Sequence, residues 1–341
     1  MNNICDYINY YKNTTFDEVK FNVMDALIYS ILIYIPVMDL KDGSTLIEMQ
    51  NNIYSVDFEE GSSKANSIKI LDMIKNSTRY KDLRIFNYIK KQNEEIQFGA
   101  MTIRNDKNTF IAFEGTNRSM VGWIENFYLS CNYPTKTQKE AIDYLNNVIK
   151  FKDKDIFIGG HSKGGNLAMV AAMECYRGIF SKIRKIYNFD GPGFRKEQFN
   201  NDKFKILNKK TENILPDGSI VGVLLNNDNY KFVKSNGVGT EKHCPLNWHV
   251  FGEFFVENEQ NDSSKSLHDS INKSIDKIDD KELNIFVKNL SEFFKTNNIL
   301  TIEDLKGKKA SDVFNLINQI KNVDEQTRKQ FISVLKLLIN P

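Results

Sequence analysis

The amino-acid sequence predicts an α/β protein: a mostly parallel sheet flanked by helices, with a helical extension at its C-terminal end. Three observations carry that reading. Short apolar runs alternate with helical patterns, the signature of strands joined by crossover helices. A glycine-flanked turn joins one such run, Asp155 to Gly159, to the small-residue run Leu167 to Met173. From about Glu257 the strand-like runs stop and only helical periodicity remains. The 341 residues suffice for one large core and an appendage, expected at 1–256 and 257–341.

In chain order, Met24, Leu27, Ile28, Ile31, Leu32 and Ile35 recur at helical spacing and predict a buried helix. The uncharged stretch Ala26 to Met38 is too short to span a bilayer. It follows Asp17, Glu18 and Asp25, where a signal peptide would carry basic residues, so the chain reads as cytoplasmic. A polar region, 39–66, leads to a helix ending near Asn76. Ile96 to Arg104 and Thr109 to Phe113 flank the turn-like Asn105-Asp106-Lys107-Asn108 and predict a hairpin. Ala141, Ile142, Leu145, Val148 and Ile149 share one face of a helix over 138–149. Ile183 to Phe189 reads as a strand ended by Asp190-Gly-Pro-Gly193, and Ser219 to Leu225 and Tyr230 to Lys234 as two more. After a polar linker through Ser266, Leu283, Phe286, Val287, Leu290 and Phe294 make one helical stripe, and Phe331, Val334, Leu335 and Leu338 another. Thr301 and Asp304 have the spacing of a capping box.

Composition narrows the function classes. Lysine plus arginine (46) nearly balances aspartate plus glutamate (44), a net charge of +2 that gives no basic stripe for nucleic acid. Cys5, Cys131, Cys175 and Cys244 have no paired spacing, which argues against a disulfide framework. His161, His243, His249 and His268 form no metal-ligand pattern, so neither metal nor cofactor is expected.

The chemistry concentrates at Gly160-His161-Ser162-Lys163-Gly164, a G-x-S-x-G motif set between an apolar strand and a small-residue helix. A sharp strand-to-helix turn holds such a serine in a strained backbone, and side chains two residues either side would collide. The ordinary alternative, a nucleotide-binding turn, fits poorly because the motif is neither GxGxxG nor a phosphate loop. This setting predicts an α/β-hydrolase fold with Ser162 as nucleophile. The base and acid follow in the order serine, acid, histidine. His243, in a loop-like stretch, is favoured over His249, which sits in an apolar run. Asp190, at the end of the next strand, is favoured as the acid over Asp217, whose Asp-Gly pair doubles as a turn signal. The backbone N–H groups of Thr116 and Lys163 are the candidate oxyanion donors.

These residues resemble a known family. Phe113-Glu-Gly-Thr116 and Gly160-His-Ser-Lys-Gly-Gly165 are similar to the class 3 lipases, whose elbow is Gly-His-Ser-Leu-Gly-Gly. The resemblance is closer to the bacterial Mbeg1-like family. It is carried by Phe21 to Ile28, Gly122 to Phe127, Gly160 to Ala168, Asn188 to Phe194, Ser219 to Gly222 and His243 to Trp248. It implies a Ser-His-Asp hydrolase core and supports Asp190 as acid, as in pancreatic-type lipases. The class 3 arrangement favours Asp217. Glu114 and Asn126 depart from the family's usual arginine and aspartate. The expected activity is cleavage of a small-molecule or lipid ester through an acyl-enzyme. The alternative is a catalytically silent scaffold or binding module.

Overall fold

The structure is a computed structural model that describes residues 3–54, 58–117, 119–275, 279–301 and 304. Four helices come first: α1 (Ile4–Tyr11), α2 (Val23–Leu32), α3 (Leu46–Asn51) and α4 (Ser63–Ile74). Strands β1 (Arg84–Gln92), β2 (Gln97–Arg104) and β3 (Thr109–Phe113) form an antiparallel meander. Helices α5 (Met120–Tyr128) and α6 (Lys136–Val148) cross to β4 (Ile156–His161), which lies parallel to β3. Helices α7 (Lys163–Glu174) and α8 (Arg177–Lys182) lead to β5 (Ile183–Phe189). Then α9 (Lys196–Phe199) and α10 (Asp202–Asn208) lead to β6 (Thr211–Pro216), and a loop to β7 (Tyr230–Val233). A small hairpin, β8 (Val250–Phe251) and β9 (Phe254–Phe255), precedes α11 (Asp262–Ile275) and α12 (Asp280–Thr296).

Among the described residues the main sheet runs β1 to β7 in sequence order, with β3 to β7 parallel. This is the expected α/β class. Alternation along the strands divides the core. Phe110 and Ala112 of β3 face a cluster with α1, α2 and α4, whereas Ile111 and Phe113 face one with α6, α7 and α10. Helix α2 is buried from Met24 to Leu32, which explains its unbroken apolar run. Its start is fixed by a capping box between Asn22 and Asp25.

The hairpin over Ile96 to Phe113, the helix over 138–149, and the strands at Ile183 to Phe189 and Tyr230 to Lys234 form close to where the sequence places them. Ser219 to Leu225 is not a strand. Leu225 has φ 63, and the segment's Ser219 hydroxyl and Gly222 N–H both turn to Asp190, so it joins no ladder. The strand in that region is β6, whose polar Thr-Glu-Asn start and terminal proline disguise it. Within it, buried Asn213 is satisfied by Asn188, Asn227 and the Asp228 carbonyl. The polar linker expected through Ser266 is already helical from Asp262. Thr301 and Asp304 exchange the hydrogen bonds of a capping box. The stripe at Phe331 to Leu338 lies outside the described residues.

Candidate active site

Each candidate residue follows the carboxyl end of a parallel strand. Thr116 comes after β3, Ser162 after β4, Asp190 after β5, Asp217 after β6 and His243 in a 3-10 turn after β7. That edge of an open α/β sheet is where ligand-binding loops gather.

Ser162 has φ 60 and ψ −136 and stands at the N-cap of α7, yet its side chain makes no cap bond. Ser62 and Ser119, at the starts of α4 and α5, each accept a bond from a helix N–H. The difference follows from the backbone: in the left-handed region the serine is turned away from the helix it begins. Gly160 and Gly164 make the turn sterically accessible, since a Cβ at either would collide with the Phe113 carbonyl oxygen. Ser162 N–H donates to Phe189 O at 2.9 Å, pinning the elbow to the neighbouring strand.

Asp190 is fully buried, also at positive φ (51). Its Oδ1 accepts from Ser219 Oγ and from Gly222 N–H, and its Oδ2 lies 2.6 Å from His243 Nδ1. Donation from Nδ1 leaves Nε2 of a neutral His243 with its lone pair, the tautomer a general base requires. Asp217 does not meet a histidine. It binds Lys242 Nζ at 2.6 Å, Ser235 Oγ and Asn258 Nδ2, and despite burial these partners hold its carboxyl below the ordinary value. Asp217 thereby anchors the residue before His243. His249 Nε2 bonds Asn236 Oδ1.

His161 couples the parts. Its Nε2–H donates to the His243 carbonyl at 2.9 Å, and the two imidazole rings lie with centroids 4.4 Å apart. Burial, and then the neighbouring His243, hold its imidazole well below the usual histidine range. Tyr34 hydroxyl accepts from Gly115 N–H at 3.1 Å and lies within reach of His161 Nδ1 and O. A chain of contacts therefore runs from the loop after β3, through Tyr34 and His161, to the loop of His243. Among the described residues, no acceptor pairs with the backbone N–H of Thr116 or of Lys163.

Residues 74–292 match the family described as Mbeg1-like. The chain belongs to the Mbeg1-like family. The Mbeg1-like match takes in the whole main sheet, every loop just described and most of α12. No curated protein matches the chain. Among the described residues, no helix is long and apolar enough to cross a membrane.

Glu114 and Asn126, the two departures from the family's pattern, both find partners. Glu114 ion-pairs with Lys90 and accepts from Gln97 Nε2 at 3.2 Å. Asn126 Nδ2 donates to Thr116 Oγ1 at 2.9 Å. Tyr34 and Gln97 escape sequence reasoning. Tyr34 falls in a run that reads as plain apolar core, and Gln97 opens a strand as an ordinary polar residue. The Lys163 side chain is also missed, since the elbow motif assigns a role only to its backbone.

Proposed function

We propose that this chain is a serine hydrolase that cleaves esters, on an α/β-hydrolase core related to the class 3 lipases. The observation that carries the reading is the pairing of two features. Ser162 is held in a strained conformation with its hydroxyl uncommitted as a helix cap, and its neighbour His161 packs on a His243 oriented by the buried Asp190.

The residues take the following parts. Ser162 Oγ attacks the ester carbonyl while His243 Nε2 accepts the hydroxyl proton. Asp190 holds the imidazole and stabilises the imidazolium that forms. The tetrahedral oxyanion lies against the N–H groups of Thr116 and Lys163, the latter at the N-terminus of α7, where the helix dipole favours negative charge. The imidazolium then protonates the departing alcohol. Water, activated by the same Nε2, hydrolyses the acyl-enzyme and frees the acid. The substrate class this chemistry suits is a small-molecule or lipid ester, with side chains supplying the nucleophile, base and acid and the main chain supplying the oxyanion donors.

The test is covalent labelling by a fluorophosphonate, read by intact mass, with turnover of nitrophenyl esters of graded chain length. One adduct on the wild type, none on Ser162→Ala, and a loss of at least about 10³-fold in kcat/KM in that variant are expected. A folded wild type that takes no adduct and turns over no ester of the series would overturn the reading in favour of a silent scaffold.

A further inference from the structure

Behind the two candidate oxyanion donors lies a buried polar network for which the chemistry above has no use. Gln97, at the start of β2, is 2% exposed. Its Nε2 donates to Gly115 O at 3.2 Å and its Oε1 accepts from Asn117 N–H at 3.4 Å. One side-chain amide thus holds the main chain immediately before and after Thr116. The same Oε1 accepts from Lys163 Nζ at 3.0 Å.

Lys163 is 1% exposed, and its ammonium donates to Gln97 O at 2.9 Å and to Glu125 Oε2 at 2.8 Å as well. All three of its N–H donors are therefore committed. Glu125 Oε2 also accepts from Gln97 N–H at 3.0 Å, which ties α5 into the set. The amide orientation is dictated by its neighbours. Its oxygen faces two donors, Lys163 Nζ and Asn117 N–H, and its nitrogen faces two acceptors, Gly115 O and Glu114 Oε2. A flipped amide would set donor against donor.

We infer that Gln97 and the side chain of Lys163, neutralised by Glu125, are positioning residues that fix the separation of the Thr116 and Lys163 N–H groups. Thr116 sits on a loop and Lys163 on the first turn of a helix, and no hydrogen-bond ladder joins their two backbones directly. Tyr34 bridges Gly115 to His161 on one side, and the Gln97–Lys163 bond joins the Thr116 loop to Lys163 itself on the other. Its place in the interior, away from solvent exchange, lets it limit the movement of the two donors relative to each other. A misplacement of about 1 Å in such a constellation costs on the order of 10²-fold in rate. The inference rests on the hydrolase reading.

The experiment compares the full-length wild type with Gln97→Met, which keeps the volume and loses both ends of the amide. A second variant, Lys163→Met with Glu125→Gln, removes the link without leaving a charge stranded. Folding is checked by thermal melting. The readouts are kcat and KM for an activated ester, and the affinity for an arylboronic acid, whose adduct with Ser162 is tetrahedral and anionic. In both variants kcat should fall about 10- to 100-fold while KM stays within about twofold. Boronate affinity should fall by the same factor as kcat, because both report on the tetrahedral anion.

Combining Gln97→Met with the second variant should cost less than the product of the two losses, because they break the same link. An active wild type accompanied by a folded Gln97→Met with kcat within about threefold of it would overturn this inference and leave the hydrolase reading standing. A loss that falls wholly on KM would overturn it in the same way. Should Gln97→Met fail to fold, the charge-free variant decides by the same criteria. A wild type inert to both ester and fluorophosphonate overturns the hydrolase reading and this inference with it.

Discussion

His161 is neutral in the folded protein, because burial strips an imidazolium of its water and His243 lies against the ring. That neutrality has a thermodynamic consequence. In the unfolded chain the imidazole takes up a proton near pH 6.5, its ordinary value. The folded protein resists that proton to a much lower pH. Below about pH 6.5 the unfolded state therefore binds more protons, and stability falls as the pH drops, by up to about 1.4 kcal/mol per pH unit from this group. Above that value both states are neutral and the contribution is flat. Urea unfolding of the wild type and His161→Gln between pH 7.5 and 5.5 isolates the effect, since the carboxylates titrate alike in both proteins. The wild type should lose stability more steeply with acidification than the variant, and parallel curves would contradict the assignment. G-x-S-x-G made the strained turn at Ser162 legible because the motif encodes steric necessity. The tether at the first x was not legible, because nothing local in the sequence says that a residue 82 positions later will return its carbonyl to His161.

At the scale of the element, α2 is held by a charge as well as by apolar contact. Asp25, fully buried in its first turn, accepts from Arg79 Nε and Nη2 at 2.9 and 2.7 Å and from Tyr80 hydroxyl at 2.7 Å. Arg79 also donates to the carbonyls of Thr15, Val19 and Lys20, binding the segment before α2 to the turn after α4. Removing one member leaves the other as an uncompensated buried charge, so Asp25→Ala should cost about 3–5 kcal/mol in urea unfolding. Pairing Asp25→Leu with Arg79→Met should recover part of that loss. Full recovery is not expected, because three carbonyls still lose their donor. The same helix shows how far sequence reasoning reaches. Its apolar face was legible from periodicity, but Asp25 read as a flanking charge rather than a buried one, since its partner lies 54 residues away. Strand β1 went unpredicted because a bulge between Phe86 and Ile89, with Asn87 at φ 51, breaks the alternation that marks a strand.

Across the whole molecule, the two described C-terminal helices brace loops of the candidate site. Helix α12 buries Leu283, Val287, Leu290 and Phe294 and packs on α5, which follows the Thr116 loop. Helix α11 presents Ser264, His268 and Asn272, four residues apart on one face, to the main chain of the loop after β6. Ser264 Oγ donates to Ser219 O, His268 Nδ1 to Val223 O, and Asn272 bonds both the N–H and the carbonyl of Leu225. A polar stripe of this kind reads in the sequence as a solvated face, because its partners are backbone atoms and leave no trace in residue type. The braced loop is the one whose Ser219 hydroxyl and Gly222 N–H hold Asp190, so the extension acts on His243 at one remove. Leu225, at positive φ, gives the loop a local strain that the Asn272 amide offsets. Asn272→Ala removes that paired contact without touching the sheet. Each of the two lost hydrogen bonds is worth about 0.5–1.5 kcal/mol net, so local opening of residues 219–225 should rise about 5- to 150-fold. Hydrogen exchange followed by mass spectrometry should show faster exchange in that peptide and unchanged protection in β3 to β5. Ester turnover should fall about three- to tenfold, with global stability lowered far less than by Asp25→Ala. Unchanged exchange at 219–225 would mean that the Asn272 contact does not brace the loop, leaving Ser264 and His268 as the bonds from α11 that could.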